Sequence, residues 1–341
     1  NLDLVKKILL DLRSISDNQI ILNLLVEISE NEGDIYNAIY YIEEWITENG
    51  SNNESNIKLA LFYLRINDYQ TVLDILNPIY NTGNHSLEIL RLLLIANSEL
   101  ADYEQELLVS KVIIDKYPNE PIGYESLSIT YLQLNLVDES IKVLLSAIDK
   151  FPKEKSFYFS LGNIFYSKGE YGKSKRYLYR VLELEPNYIP AKHTLALLYE
   201  SMKNINLADS LFYNLISENE DNSMWKNDYA YILCEREEYS KKNLDYALEL
   251  AQKAIDMQPD NAAFLDTIGW VNYKLGFYLV AKEYIEKSLK IDDKNPIILE
   301  HMADIYAKIN RFSDALLLYK KILDLDSSNQ SIKNKINEIN E

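Results

Sequence analysis

The chain has 341 residues, 47% of them apolar, and its 53 acidic against 35 basic residues give a formal net charge of −18. No Lys/Arg-rich run offsets that field, which argues against nucleic-acid binding and leaves solubility or a preference for basic partners as its role. Scarce glycine (9) and proline (8) exclude collagen-like or long flexible regions, one cysteine excludes an intrachain disulfide, and no apolar stretch reaches the roughly 18–20 residues of a membrane span.

Residues 1–18 are expected to hold a partial repeat or capping helix, with 1–14 as the second helix of a truncated hairpin. From residue 19 the chain falls into register at a period of 34: 19–52, 53–86, 87–120, 121–154, 155–188, 189–222, 223–261, 262–295 and 296–329, the seventh alone being longer at 39. Position 7 of each reads Leu25, Leu59, Leu93, Leu127, Leu161, Leu195, Tyr229, Ile268, Met302. The start of each second stripe reads Ile35, Tyr69, Tyr103, Val137, Tyr171, Ile205, Leu244, Tyr278, Phe312. Such a period marks stacked helix–turn–helix units, none able to bury its apolar face alone.

Pro78 falls inside the second helix of the second repeat and is expected to kink or shorten it. Asn97, Glu106 and Ser110 make the third repeat the expected loosest unit. The fifth repeat shows the design openly. Tyr158, Leu161, Gly162 and Phe165 form one helical stripe, Gly169 ends it, Tyr171, Ser174, Leu178 and Val181 form a second, and Pro186 stops that. Small residues recur at position 8 (Ala60, Ser128, Gly162, Ala196, Gly269) and position 20 (Ala38, Ser140, Ser174, Ala208, Ala281), where two helices must approach closely. The seventh repeat carries five extra residues around Glu235–Asn243, read as a charged loop that is either a tolerated insertion or an extra contact. Residues 330–341 read as a polar helix capping the array.

These features resemble the tetratricopeptide repeat (TPR) family: an aromatic or Leu at position 4 (Tyr124, Tyr158, Leu265), Leu-Gly or its equivalent at 7–8, Tyr at 11 (Tyr63, Tyr131, Tyr199, Tyr306), Ala at 20 and Pro near 32 (Pro118, Pro152, Pro186, Pro259). The resemblance implies an all-α, right-handed solenoid of nine helical hairpins plus flanking helices, with a concave face built mainly from first helices. The C-terminal third is similar to a block in bacterial TPR proteins of the periplasm or outer membrane, which implies a cell-envelope location; a cytoplasmic one is the alternative. The family's two-carboxylate clamp is absent, because Phe159 precedes Asn163 where a lysine is needed.

No catalytic constellation is found, so no enzyme activity, metal or cofactor is expected. His85, His193 and His301 sit in different repeats, each expected as a surface or groove polar group, and Cys234 is expected as an inert apolar filler. Binding is better supported. Positions 2, 5, 9, 12 and 13 of the first helix are expected to face the concave side, giving Phe159, Asn163, Tyr166, His193, Leu197, Glu200, Tyr231, Asp266, Trp270, Tyr273, Glu300 and Asp304 as candidates. That set, with Asn227 and Cys234 also in register, is an aromatic strip bordered by carboxylates, suited to an extended protein or peptide with apolar and basic side chains. Trp270 either anchors such a partner or packs between repeats; in the first case Trp270→Ala with Tyr273→Ala weakens capture and leaves melting unchanged. The expected function is a non-enzymatic interaction scaffold, with the regulatory or substrate-docking region of a larger multidomain enzyme as alternative, and self-association possible through terminal repeats.

Overall fold

Twenty helices and no strand form the described part of the chain, which the computed structural model gives for residues 2–13, 15, 19–237 and 239–340. Asn1, Ser14, residues 16–18, Glu238 and Glu341, which belong to the expected end segments and the seventh-repeat loop, lie outside it. The all-α hairpin array is thus as expected. It divides into two bodies, residues 1–186 with α1 to α11 and residues 187–341 with α12 to α20.

The N-terminal body comprises α1 (Leu2–Arg13), α2 (Gln19–Asn31), α3 (Ile35–Asn49), α4 (Asn53–Arg65), α5 (Tyr69–Asn81), α6 (Leu87–Glu99), α7 (Tyr103–Lys116), α8 (Ile122–Gln133), α9 (Val137–Lys150), α10 (Lys155–Ser167) and α11 (Tyr171–Leu184). The C-terminal body comprises α12 (Ile189–Ser201), α13 (Ile205–Glu218), α14 (Ser223–Glu235), α15 (Lys241–Met257), α16 (Ala262–Lys274), α17 (Tyr278–Ile291), α18 (Pro296–Lys308), α19 (Phe312–Leu325) and α20 (Gln330–Asn340).

One local device builds eight of the hairpins. Position 15 takes a left-handed backbone at Gly33, Asn67, Ala101, Asn135, Gly169, Lys203, Gly276 and Asn310. The next amide then reaches back five residues to a first-helix carbonyl, as Asp68 does to Tyr63 at 3.0 Å and Glu170 to Phe165 at 2.8 Å. This closes the helix end and reverses the chain. Where position 16 is aspartate, the same residue caps the second helix: Asp34, Asp68 and Asp102 accept from the amides of Asn37, Thr71 and Gln105.

The small residues explain how the two helices of a hairpin close. An added Cβ at Gly162 would lie 2.7 Å from Leu178 Cδ2, and one at Gly269 would lie 2.7 Å from Ile285 Cδ1 and 3.2 Å from the Ala281 carbonyl oxygen. Ser174 Oγ donates to the Gly162 carbonyl at 2.7 Å across the same contact. Gly269→Val is therefore expected to overpack the eighth hairpin and cost about 2 kcal/mol, read as a lower urea midpoint with an unchanged helical spectrum.

Three local features are physical. Pro78 lies in the last turn of α5, which runs through it and ends at Asn81; at 13 residues α5 is shorter than the second helices of the other repeats, of 14 to 17 residues. In the third repeat, Asn97, Glu106 and Ser110 are buried, at 3%, 4% and 0% exposure. Burial pushes the Glu106 carboxyl above its usual range, and its Oε2 has no partner. A carboxyl raised in the folded state favours folding below its unfolded value near 4.5 and loses that contribution as pH rises through the folded value. Glu106→Gln is accordingly expected to raise the urea midpoint at pH 7.5, by about 1 kcal/mol, and to leave it unchanged at pH 4. In the seventh repeat, the extra residues lengthen α15 to 17 residues, starting at Lys241 rather than near Leu244.

Candidate functional site

Sidedness decides which candidates a partner could touch. In the N-terminal body, Phe159, Asn163 and Tyr166 project from α10, all half-buried, with the Tyr166 ring centroid 6.1 Å from that of Tyr171. The remaining nine candidates belong to the C-terminal body. There the first helices α14, α16 and α18 bring Tyr231, Asp266, Trp270 and Tyr273 together with His301.

Trp270 lies inside this cluster. Its ring stacks on Tyr273 at 4.5 Å and 4° and on His301 at 3.9 Å and 13°, and only 6% of the residue is exposed. Its indole N–H donates to Glu235 Oε1 at 2.7 Å, and Lys274 Nζ reaches the same oxygen at 2.9 Å. Burial opposes ionisation of Glu235, but the Trp270 and Lys274 hydrogen bonds outweigh it and hold the carboxyl below its usual range. His301 Nδ1 lies 2.9 and 3.0 Å from the two Asp266 oxygens and, facing a carboxylate, acts as donor. Both residues are buried, at 5% and 6% exposure, so the expected groove position of His301 is corrected: its ring fills the space between α16 and α18. Tyr231 and Tyr273 remain half-buried at the edge, and burial pushes the Tyr273 phenol up to about 12. Asp266, Trp270 and two further residues in the same register, Asn227 and Cys234, are buried, so these positions face the next helix as well as the open side. Burial raises the Cys234 thiol strongly, as suits a filler.

Two cations each hold a pair of carboxylates, which leaves one negative charge in excess in each group. Arg236, from the inserted loop, donates to Glu200 Oε2 at 2.8 Å and Oε1 at 3.1 Å and to Asp209 Oδ1 at 2.5 Å. Asp209 also accepts from the Tyr229 hydroxyl at 2.8 Å. Burial disfavours the Arg236 charge, yet its bonds to Glu200 and Asp209 raise its basicity further. Lys335 on α20 donates to Glu300 at 2.8 Å and to both Asp304 oxygens at 2.7 and 2.8 Å, while Tyr319 donates to Asp304. His193 Nε2 comes within 3.0 Å of Asp228 Oδ2 without hydrogen-bond alignment, and its ring packs beside Phe212 and Trp225. Leu197 packs on the α13–α16 core.

Three of these pairs share one register. Asp266–His301 and Glu300–Lys335 are each 35 residues apart, as are His193 and Asp228, joining position 5 of one first helix to position 6 of the next. Sequence reasoning missed this ladder and missed Arg236. Opposite charges one residue beyond the repeat period were the available signal for the first; none existed for the second. It also missed position 9 of the early repeats, where Leu61, Ile95 and Ile129 are 39%, 43% and 48% exposed. Aliphatic residues at a solvent-facing register were legible in the period. Among the described residues no group of three His, Cys, Asp or Glu side chains is placed to hold a metal ion. No helix among them is long and apolar enough to cross a membrane.

The family model for the tetratricopeptide repeat matches residues 156–188. The type IV pilus assembly protein PilF of Pseudomonas aeruginosa is 26% identical over 162 residues, covering 48% of this chain and 63% of that protein. The TPR repeat-containing protein MJ1428 of Methanocaldococcus jannaschii is 22% identical over 335 residues, covering 92% of this chain and 59% of that protein. The chain thus spans less than two thirds of either relative's length. The crystal structure of a tetratricopeptide repeat protein from Parabacteroides merdae superposes with a TM-score of 0.61 over 74% of this chain and 98% of that one; at 17% identity it speaks for the fold alone.

Proposed function

From its membership of the tetratricopeptide-repeat family, whose proteins generally mediate protein–protein interaction, we propose that this chain is a non-enzymatic scaffold whose first-helix faces hold an extended segment of a partner protein. The observation that carries this reading is the exposure of Leu61, Ile95 and Ile129 at one register of three successive first helices. Helices packed side by side lie about 8–10 Å apart, and every third residue of an extended chain advances about 10 Å. A segment with apolar side chains three apart fits that ladder. Phe159, Asn163 and Tyr166 continue the surface in the N-terminal body, and Leu197, Tyr231 and Tyr273 offer half-buried contacts in the C-terminal one. Basic residues of the partner act there by competing with Arg236, Lys274 and Lys335 for Glu200, Glu235, Glu300 and Asp304. Similarity to PilF, named for pilus assembly, supports a role in a bacterial cell-envelope assembly.

The test is photo-crosslinking and affinity capture in the native source. Probes at residues 95 and 129 are expected to label the same partner protein, and Ile95→Glu to weaken its capture at least about tenfold, 1.4 kcal/mol, with unchanged melting. Leu108→Glu, on an exposed second-helix position, serves as control and retains capture. Full capture by the Ile95→Glu chain would sink the reading.

A further inference from the structure

Position 4 of the first helix is a packing position: Leu22, Leu90, Tyr158, Leu265 and Leu299 fill it and are buried. Three repeats place a polar or charged residue there, Asn56, Lys192 and Lys226, and of these only Lys226 is buried, at 5% exposure. Its ammonium donates to the backbone carbonyl of Glu220 and reaches that of Asn222 at 3.5 Å, and among the described residues no carboxylate pairs with it. An ammonium has three donors, so one is left over, and a buried charge without a counter-ion is costly. Burial, and after it the nearby Lys253 ammonium, hold the Lys226 amine below its usual range. Both lysines line a cavity of about 540 Å³ between α13 and α15. Its walls are Tyr213, Ile216, Tyr246 and Met257. An apolar residue at position 4 would remove the cost, and a local conflict of this kind is what functional sites carry.

We propose that the cavity between α13 and α15 binds a small organic acid with one carboxylate on an apolar or aromatic body. The carboxylate takes the free Lys226 donor and Lys253, whose ammonium otherwise bonds Glu249 at 2.6 Å. The body lies between Tyr213 and Tyr246, against Ile216 and Met257. The volume falls in the range of small-molecule sites, about 300–1,000 Å³. Glu220 and Asp256 line the same cavity, so its two ammonium and two carboxylate groups cancel. One added negative charge therefore satisfies the lysines, whereas a phosphate dianion is repelled by the two carboxylates. The site belongs to the second helices and is independent of the first-helix surface proposed above.

The probe is 3-phenylpropionate, titrated into the full chain and followed by saturation-transfer NMR. Saturable binding is expected, weakened at least about tenfold (1.4 kcal/mol) by Lys226→Met, with hydrogen exchange slowed in α13 and α15 of the unsubstituted chain on adding the acid. Methionine suits a position that is leucine in other repeats, so this variant is expected to fold and to melt no lower than the parent. Lys253→Gln, at an exposed position, is expected to weaken binding without touching the core, a readout that stands even where Lys226→Met loses stability. Phenyl phosphate is expected not to compete. Absence of binding at millimolar acid, or equal binding by the parent and both variants, overturns the proposal. So does competition by phenyl phosphate as strong as by the acid, which removes the reason for a single carboxylate.

Discussion

Trp270→Ala is expected to destabilise the C-terminal body by about 3–5 kcal/mol, the range for deleting a large buried aromatic. Three losses combine. The indole leaves a void between Tyr273 and His301, whose rings it separates at 4.5 and 3.9 Å. Two aromatic contacts, each about 0.5–1.5 kcal/mol beyond area burial, disappear. Glu235 loses the 2.7 Å indole donor and keeps only Lys274. Repeat arrays lose two-state behaviour, so the effect is best read segment by segment, as faster hydrogen exchange in α14, α16 and α18. Trp270→Phe, which keeps the stack and loses the donor, is expected to cost about half as much. Unchanged exchange in Trp270→Ala would return Trp270 to the role of a free anchor. The sequence-based expectation of unaltered melting is therefore revised, because the indole is sandwiched and not presented.

Arg236→Ala is expected to cost about 3 kcal/mol, the lower end of the range for breaking a buried ion pair by removing one partner. The guanidinium side chain is 8% exposed and Glu200 19%, but Asp209 at 40% is screened by water, which moderates the loss. Removing Arg236 leaves the Glu200 carboxylate between α12 and α14 without its bidentate donor and loosens the loop that leads to α15. Arg236→Lys is expected to recover only part of the loss, since an ammonium cannot span both carboxylates with paired donors. Thermal melts of the two variants in low and high salt check this. A melting temperature within 1 °C of the parent's for Arg236→Ala would make the insertion a passive loop.

Some of the site was legible before any fold was known. Tyr231, Trp270 and Tyr273 stood out because aromatic residues fell at solvent-facing positions of a clear period. Their stacking on His301 was not legible, because a period assigns a residue to a helix face and says nothing of the distance to the next helix. Glu106 shows the same limit: its charge marked a departure from the repeat pattern, but its burial and the raised carboxyl that follows were not legible. Left-handed turns at Ala101 and Lys203 were invisible, since neither residue prefers that backbone and the hairpin contacts impose it.

By itself, the sequence determined the helical hairpins, their order and the close approaches at Gly162 and Gly269, because hydrophobic periodicity and side-chain size act locally. Only the tertiary structure decided that Glu200, Glu235, Glu300 and Asp304 are held by Arg236, Lys274 and Lys335, and that Trp270 is enclosed. Those are relations between side chains about one repeat apart, and stacking, which no linear pattern records, sets which of them meet and which meet nothing.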